Sequence, residues 1–338
     1  MATECPMPSV LPDWPDAATH AAGPVETNAL QWETAPCPLC GSRRWSPVLT
    51  APDPEGTDAE LVFSVVRCCR CGLCFTNPRP TLRSIGHFYP AGYGPHVQVG
   101  LSASRRRRAR WWTRLPAWLR SGCPERRGFP VFGRGRLLDV GCGGGAFLHR
   151  MHLQGWRVTG LDLSAAVVAR IRAELGLEAL AGTLPHPQLE PGGFDLITMW
   201  MSLEHMHRPR RVLEEVRRLL APGGRLVVCV PNLHSVLFRW FGTHWFCLEL
   251  PRHLVHFTPA TLAHLLVGTG FEPQRFRAVA QSHWVRQSAR LACRRGSARP
   301  WQRLLQHKLP SRLVAACSRL VGRADAMLVV ALRRDRMA

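Results

Sequence analysis

The run Leu137-Leu138-Asp139-Val140-Gly141-Cys142-Gly143-Gly144-Gly145 constrains the fold more than any other stretch of the chain: it reads as a buried strand ending in an acidic residue and a glycine-rich turn. Glycine is needed at such a turn because positive φ and close approach to a ligand exclude a Cβ atom. Gly141, Gly143 and Ala146 also satisfy the loose dinucleotide fingerprint, so a nicotinamide-type cofactor is one reading. Asp139 weighs against it. A carboxylate two residues before the first glycine repels a pyrophosphate seated on the following helix N-terminus, and suits a cationic amino group instead.

Trp156-Arg157-Val158-Thr159-Gly160-Leu161-Asp162-Leu163-Ser164 reads as a second strand with an acid at its C-terminal end. Asp162 stands about 20 residues beyond the glycines, where ribose hydroxyls are bound; the alternative is a helix N-cap. Gly193 to Trp200 reads as a third apolar strand, and Leu219 to Val228 as helix end, turn and strand, with Pro222, Gly223 and Gly224 stopping the helix. With these four ordered motifs the chain resembles the class I S-adenosylmethionine-dependent methyltransferases over about residues 134 to 280, with a last strand near 327 to 332. The resemblance implies an α/β fold: a doubly wound, seven-stranded Rossmann-like sheet with one reversed strand at the edge. Apolar runs alternating with amphipathic segments agree with this independently. Carried over by motif, Asp139, Gly141 and Gly143 cradle the methionine portion and Asp162 the ribose. Leu163, Thr183 and Leu184 border the adenine, and Cys142 and Met199 complete the cofactor set.

Upstream, Cys37-Pro38-Leu39-Cys40-Gly41 and Cys68-Cys69-Arg70-Cys71-Gly72 form two C-x-x-C knuckles. Each presents two thiolates on a tight turn, with glycine after the second cysteine relieving crowding, the logic of a closed structural zinc site. Their separation exceeds the commonest ribbon spacing, and strands near 44–49 and 61–67 form a hairpin that spans it. The ligands are read as Cys37, Cys40, Cys68 and Cys71, with Cys69 and Cys74 as alternatives; the opposing reading is a set of buried or reactive free thiols. Met1 to Asp16 is proline-rich and acidic without an apolar core, so a cytoplasmic location with reduced thiols is expected. The stretch Cys71 to Pro80, the triplet Phe88-Tyr89-Pro90 and the segment Trp245 to Thr258 resemble bacterial methyltransferases with an N-terminal zinc ribbon. Such proteins act in glycan or secondary-metabolite pathways.

Lys and Arg number 44 against 23 Asp and Glu, a net charge of +21. The arginines concentrate at 105–120 and 286–323, the second interleaved with Trp301, Leu304, Leu305, Leu309 and Leu313. This pattern fits a helix on an anionic membrane surface, a phosphate-contacting nucleic-acid surface, or simply solvated faces. No apolar run reaches the roughly 18 residues of a membrane span. The expected organisation is an arm at 1–34, a zinc-ribbon module at 35–94, a basic linker or helix at 95–133, and a methyltransferase domain at 134–338 with a basic helical insertion at about 281–325.

Methyl transfer is an in-line displacement, so positioning supplies much of its acceleration. Where the acceptor must lose a proton, His205 is the leading candidate base, at the sheet edge where ligands gather. Glu204-His205 also resembles part of the E-x-x-E-H arrangement that ubiquinone-biosynthesis O-methyltransferases link to a divalent metal. Met201 occupies the first acidic position, which counts against metal-dependent catalysis. His253 and His256, three apart, share a face if helical, and Arg252 beside them suits a carboxylate or phosphate. The expected activity is S-adenosylmethionine-dependent methylation of a hydroxyl or similar group on a small molecule, sugar or lipid-linked glycan. The alternatives are RNA methylation, a non-catalytic scaffold binding cofactor and zinc, and an NAD-dependent oxidoreductase.

Overall fold

The computed structural model describes residues 30–54, 61–89 and 134–334. Most of the N-terminal arm, the basic segment at 95–133 and the arginine cluster at 105–120 lie outside them.

The N-terminal part contains β1 (Trp32–Glu33), β2 (Trp45–Pro52), β3 (Val62–Cys68), β4 (Cys74–Thr76) and β5 (Arg79–Pro80). β2, β3 and β4 form an antiparallel meander. Its register shifts between Pro47 and Leu49, where proline has no N–H to give the ladder. Phe63, Val65 and Val66 of β3 are buried.

The larger part follows as β6 (Arg136–Val140), α1 (Ala146–Leu153), β7 (Arg157–Asp162), α2 (Ala165–Arg170), β8 (Glu178–Ala181), β9 (Phe194–Trp200), α3 (Pro209–Leu219), β10 (Leu220–Pro231), α4 (Val236–Phe241), β11 (Val255–His256), α5 (Pro259–Gly268), β12 (Phe271–Pro273), β13 (Arg277–Val279), α6 (Ser282–Arg294), α7 (Pro300–Leu304), α8 (Lys308–Leu320) and β14 (Ala326–Arg333). Its sheet runs β12-β14-β10-β9-β6-β7-β8, with β13 also paired to β14. β8, β7, β6, β9 and β10 are mutually parallel. Buried on both faces, their inner stretches read as apolar runs rather than alternating ones.

The order reverses beside β6, which lies between β7 and β9, and this switch point opens the crevice where open α/β sheets take ligands. The reversed strand, β14, is antiparallel to β10 and lies one place in from the edge rather than at it. β12 and β13 pair with successive stretches of β14 and share the outermost position; eight strands thereby fill seven places. Helix α3 starts with proline at its first turn and buries Val212, Leu213, Val216 and Leu219, the spacing of a core-facing stripe. It leads straight into β10: Leu220 pairs with Phe194 and the next partner of β9 is Arg225, so Ala-Pro-Gly-Gly forms an outward bulge where a separate turn was expected.

The two parts share one core, because β11 pairs with β4, Val255 opposite Phe75 and His256 opposite Cys74. The sheet carrying the cysteine knuckles is thus completed by a strand from residues 255–256.

Candidate functional site

At the end of β6 the chain turns through Gly141, Gly143 and Gly145, with φ of 77°, 49° and 72°. A Cβ on Gly141 would lie 2.6 Å from the Cβ of Ser202. The turn is tied to β7 from two sides. Gly141 N donates to the Leu161 carbonyl at 2.7 Å, and Gly143 N donates to Asp162 Oδ2 at 2.9 Å. Ser164 N donates to Asp162 Oδ1 at 3.0 Å. A carboxylate oxygen accepts more than one hydrogen bond, so Asp162 can shape the loop and still take ribose hydroxyls. Asp139 is 2% exposed and accepts the Thr198 hydroxyl at 2.6 Å, bracing β6 against β9.

The remaining cofactor candidates divide by exposure. Leu163 and Thr183 are exposed and Leu184 is buried. Cys142 turns its thiol inward: a Cβ on Gly160 of β7 would stand 2.8 Å from that sulfur. Met199 is fully buried within β9. Both side chains pack into the core.

A second group of side chains gathers at the ends of β6 and β9. Ser202 Oγ donates to the Val140 carbonyl at 2.7 Å, fastening the short 3-10 turn Leu203–His205 to the strand that carries the glycines. His205 Nδ1 lies 3.0 Å from the Arg252 carbonyl and 2.9 Å from the Tyr89 hydroxyl. Its ring meets that of His253 edge-on, centroids 4.6 Å apart, and His253 Nδ1 lies 2.9 Å from the Cys247 carbonyl. Glu204 is buried, and neither carboxylate oxygen has a hydrogen-bond partner. Burial holds its carboxyl well above the usual range.

Burial pushes His205, His253 and His256 down to about 3. Desolvation thus favours the neutral form of all three rings. His256 lies apart, on strand β11 rather than on a helical face shared with His253. Its Nε2 is 3.1 Å from the Thr76 hydroxyl, which itself donates to the His253 carbonyl at 2.7 Å. Arg252 is likewise committed inside the protein. It is fully buried, donates to Asp53 Oδ1 and the Phe88 carbonyl at 2.8 Å each, and lies 3.3 Å from Glu249 Oε1. No guanidinium is left to grip a substrate anion there. Asp53, Thr76 and Tyr89 all come from the N-terminal part, and sequence reading gave them no role; Phe88-Tyr89-Pro90 was the available signal for Tyr89.

The four expected sulfur ligands converge. Sγ atoms of Cys37, Cys40, Cys68 and Cys71 lie within 4.8 Å of one another, with Cys37 to Cys71 and Cys40 to Cys68 at 3.5 Å. Tetrahedral zinc with bonds of about 2.3 Å sets sulfurs about 3.8 Å apart, so the cluster fits that ion. Each knuckle closes the same way: Gly41 N donates to the Cys37 carbonyl and Gly72 N to that of Cys68, at 2.8 and 3.0 Å. Both glycines have φ near +73°. Cys74 lies outside the cluster, buried in β4, where desolvation pushes its thiol up to about 11.

Residues 102–275 match a family model described as a methyltransferase domain. Among curated proteins the chain is similar to the ubiquinone biosynthesis O-methyltransferase of Aeromonas salmonicida (strain A449), 32% identical over 147 residues, covering 40% of this chain and 61% of that protein. The chain thus spans under two thirds of that relative's length. The protein of the same name from Pectobacterium carotovorum subsp. carotovorum (strain PC1) is 32% identical over 178 residues, covering 49% of this chain and 73% of its own. Among solved structures, an S-adenosylmethionine-dependent methyltransferase from Mesorhizobium loti is 23% identical with a TM-score of 0.42, covering 62% of this chain and 95% of that one.

Proposed function

The chain belongs to the methyltransferase domain family, as a class I S-adenosylmethionine-dependent enzyme, and from that premise we propose that it methylates a hydroxyl group of a small molecule. The observation that carries this reading is the bond from Ser202 to Val140. It joins the glycine turn that would hold the cofactor to the turn bearing Glu204 and His205, so the sulfonium methyl and an acceptor held by those side chains would share one crevice. Oxygen as the methylated atom is favoured by the names of the relatives, which are O-methyltransferases. The sugar and lipid-linked glycan acceptors have no comparable support.

In this reading Asp139, Gly141 and Gly143 cradle the methionine portion, Asp162 the ribose, and Leu163, Thr183 and Leu184 the adenine. His205 and His253 face the acceptor as neutral groups. Zinc at Cys37, Cys40, Cys68 and Cys71 is structural, because four thiolates leave no open position. Isothermal calorimetry of S-adenosylmethionine and S-adenosylhomocysteine, with NADH as control, tests the reading. Binding is expected in the wild type and a loss of at least about tenfold in Asp162→Ala, the scale of one charge-assisted hydrogen bond. No binding, or a preference for NADH, would overturn it.

No helix among the described residues is long and apolar enough to cross a membrane. A peripheral partner is proposed instead from α8. That helix buries the small residues Ser311, Ala315 and Ser318 while Leu309, Leu313 and Leu320 are 71%, 55% and 70% exposed. An apolar stripe on the outward face, flanked by Lys308, Arg312 and Arg319, suits an anionic lipid surface.

A further inference from the structure

Where β1 and β5 meet the segment entering α3, a cleft of about 210 Å³ opens, with Glu33, Arg79, Thr81, Arg83, His207 and Arg208 among the residues that line it. Hydrogen bonds fix its walls. β1 pairs with β5, Glu33 opposite Arg79, and Thr81 N donates to the Gln31 carbonyl at 2.9 Å. His207 Nε2 donates to the Pro80 carbonyl at 2.9 Å, which holds the segment before α3 against β5.

Arg79 is 5% exposed, and its Nε donates to Glu33 Oε1 at 2.8 Å. Its Nη1 is buried without a hydrogen-bond partner, and so is the Thr81 hydroxyl. A buried donor without an acceptor costs its full desolvation, so two such groups lining one cleft call for an acceptor that the protein does not supply. Arg83 and Arg208 are exposed, and neither has an ion pair among the described residues. Three arginines thus accompany one acid. Burial holds the Arg79 guanidinium below its usual range, Glu33 opposes that shift, and Arg208 adds to it as a like charge. The backbone contributes too: Arg208 is the boundary residue of the 11-residue helix α3, with no side chain capping that end and no acid in the first turn. The partial positive charge of the helix N-terminus is therefore left uncompensated by the helix itself.

We propose that this cleft binds a phosphate group, held by the free Nη donors of Arg79 and the Thr81 hydroxyl and enclosed by Arg83 and Arg208. A guanidinium offers paired N–H donors that match the oxygens of a phosphate. The cleft is smaller than the roughly 300 Å³ at which pockets for drug-sized ligands begin, so it suits inorganic phosphate or the phosphoryl end of a larger molecule. Glu33 limits the affinity, because it occupies Arg79 Nε and repels the anion. His207 stands two residues beyond the turn Leu203–His205, so a bound phosphate would brace the chain between that turn and α3. Binding of phosphate does not rest on the methyl-transfer reading.

Zinc-loaded full-length protein is titrated by calorimetry with inorganic phosphate and, separately, with phenyl phosphate, in low-salt buffer free of other oxyanions. One saturable equivalent is expected. Arg83→Ala with Arg208→Ala, both exposed positions, should weaken it at least about tenfold, the scale of lost charge-assisted hydrogen bonds. Arg294→Ala with Arg303→Ala, an equal change of charge at exposed positions of α6 and α7, should leave it nearly unchanged. Glu33→Gln should tighten it about threefold or more, since a like charge is removed from the anion's surroundings. Equal affinity for the two probes assigns the site to the free ion, and tighter phenyl phosphate assigns it to a phosphoryl group carried on an organic molecule. Absence of saturable binding in the wild type overturns the proposal, as do equal losses in the two double variants or an unchanged affinity in Arg83→Ala with Arg208→Ala.

Discussion

At the scale of single residues, several acids that look alike in sequence do different work. Asp139 braces two strands, Asp162 shapes the glycine turn, and Asp325 is a fully buried carboxyl that accepts from Trp245 Nε1 at 2.9 Å through Oδ1 while Oδ2 has no partner. Burial raises Asp325 to about 7. In the unfolded chain this group ionises near pH 4, so between pH 4 and 7 the folded state binds the extra proton and stability falls as pH rises, levelling off above 7. Asp325→Asn keeps an acceptor for Trp245 and removes the ionisation. Thermal unfolding of that variant should show a gain on the order of 4 kcal/mol over the wild type at pH 8, shrinking to nothing near pH 4. A gain that is constant with pH would mean that Asp325 does not titrate in this range.

At the scale of elements, the knuckles and the strands between them form a unit whose outer partner is β11. Zinc at the four cysteines would tie the two knuckle turns together, and β11 carries His256 and begins two residues after His253. Chelation of zinc should therefore raise amide hydrogen exchange in β2, β3, β4 and β11 by tenfold or more while β6, β9 and β10 stay protected. Release of about one zinc per chain should accompany the change. Unaltered exchange in β11 after zinc release would show that its pairing with β4 holds without the metal.

At the scale of the whole molecule, the positive charge is divided between structure and surface. Arg210 donates to the Gly268 and Leu39 carbonyls, Arg217 to that of Arg334, and Arg286 to Ser311, tying α6 to α8. These arginines close gaps between elements. The exposed leucines of α8 remain for a partner. Co-sedimentation with vesicles containing phosphatidylglycerol, absent with phosphatidylcholine alone, is expected, and Leu309→Glu with Leu313→Glu should reduce it at least about tenfold, as burial of two leucines implies. Retention of vesicle binding in that double variant, or salt-sensitive retention by RNA instead, would remove α8 as the contact.

The order of strands, the glycine turn with Asp139 and Asp162, and the pairing of two cysteine knuckles were legible in the sequence because each is a local pattern. Alternation of apolar runs, spacing of glycines and the C-x-x-C turn depend on neighbours a few residues apart. Tertiary structure alone decided the rest. It set the reversed strand one place in from the edge and buried Cys142 and Met199. It also spent Arg252 on Asp53 and brought Tyr89, Glu204, His205 and His253 together from three separate segments. Those outcomes depend on desolvation and on contacts between residues far apart in the chain, and no periodicity of the sequence records either.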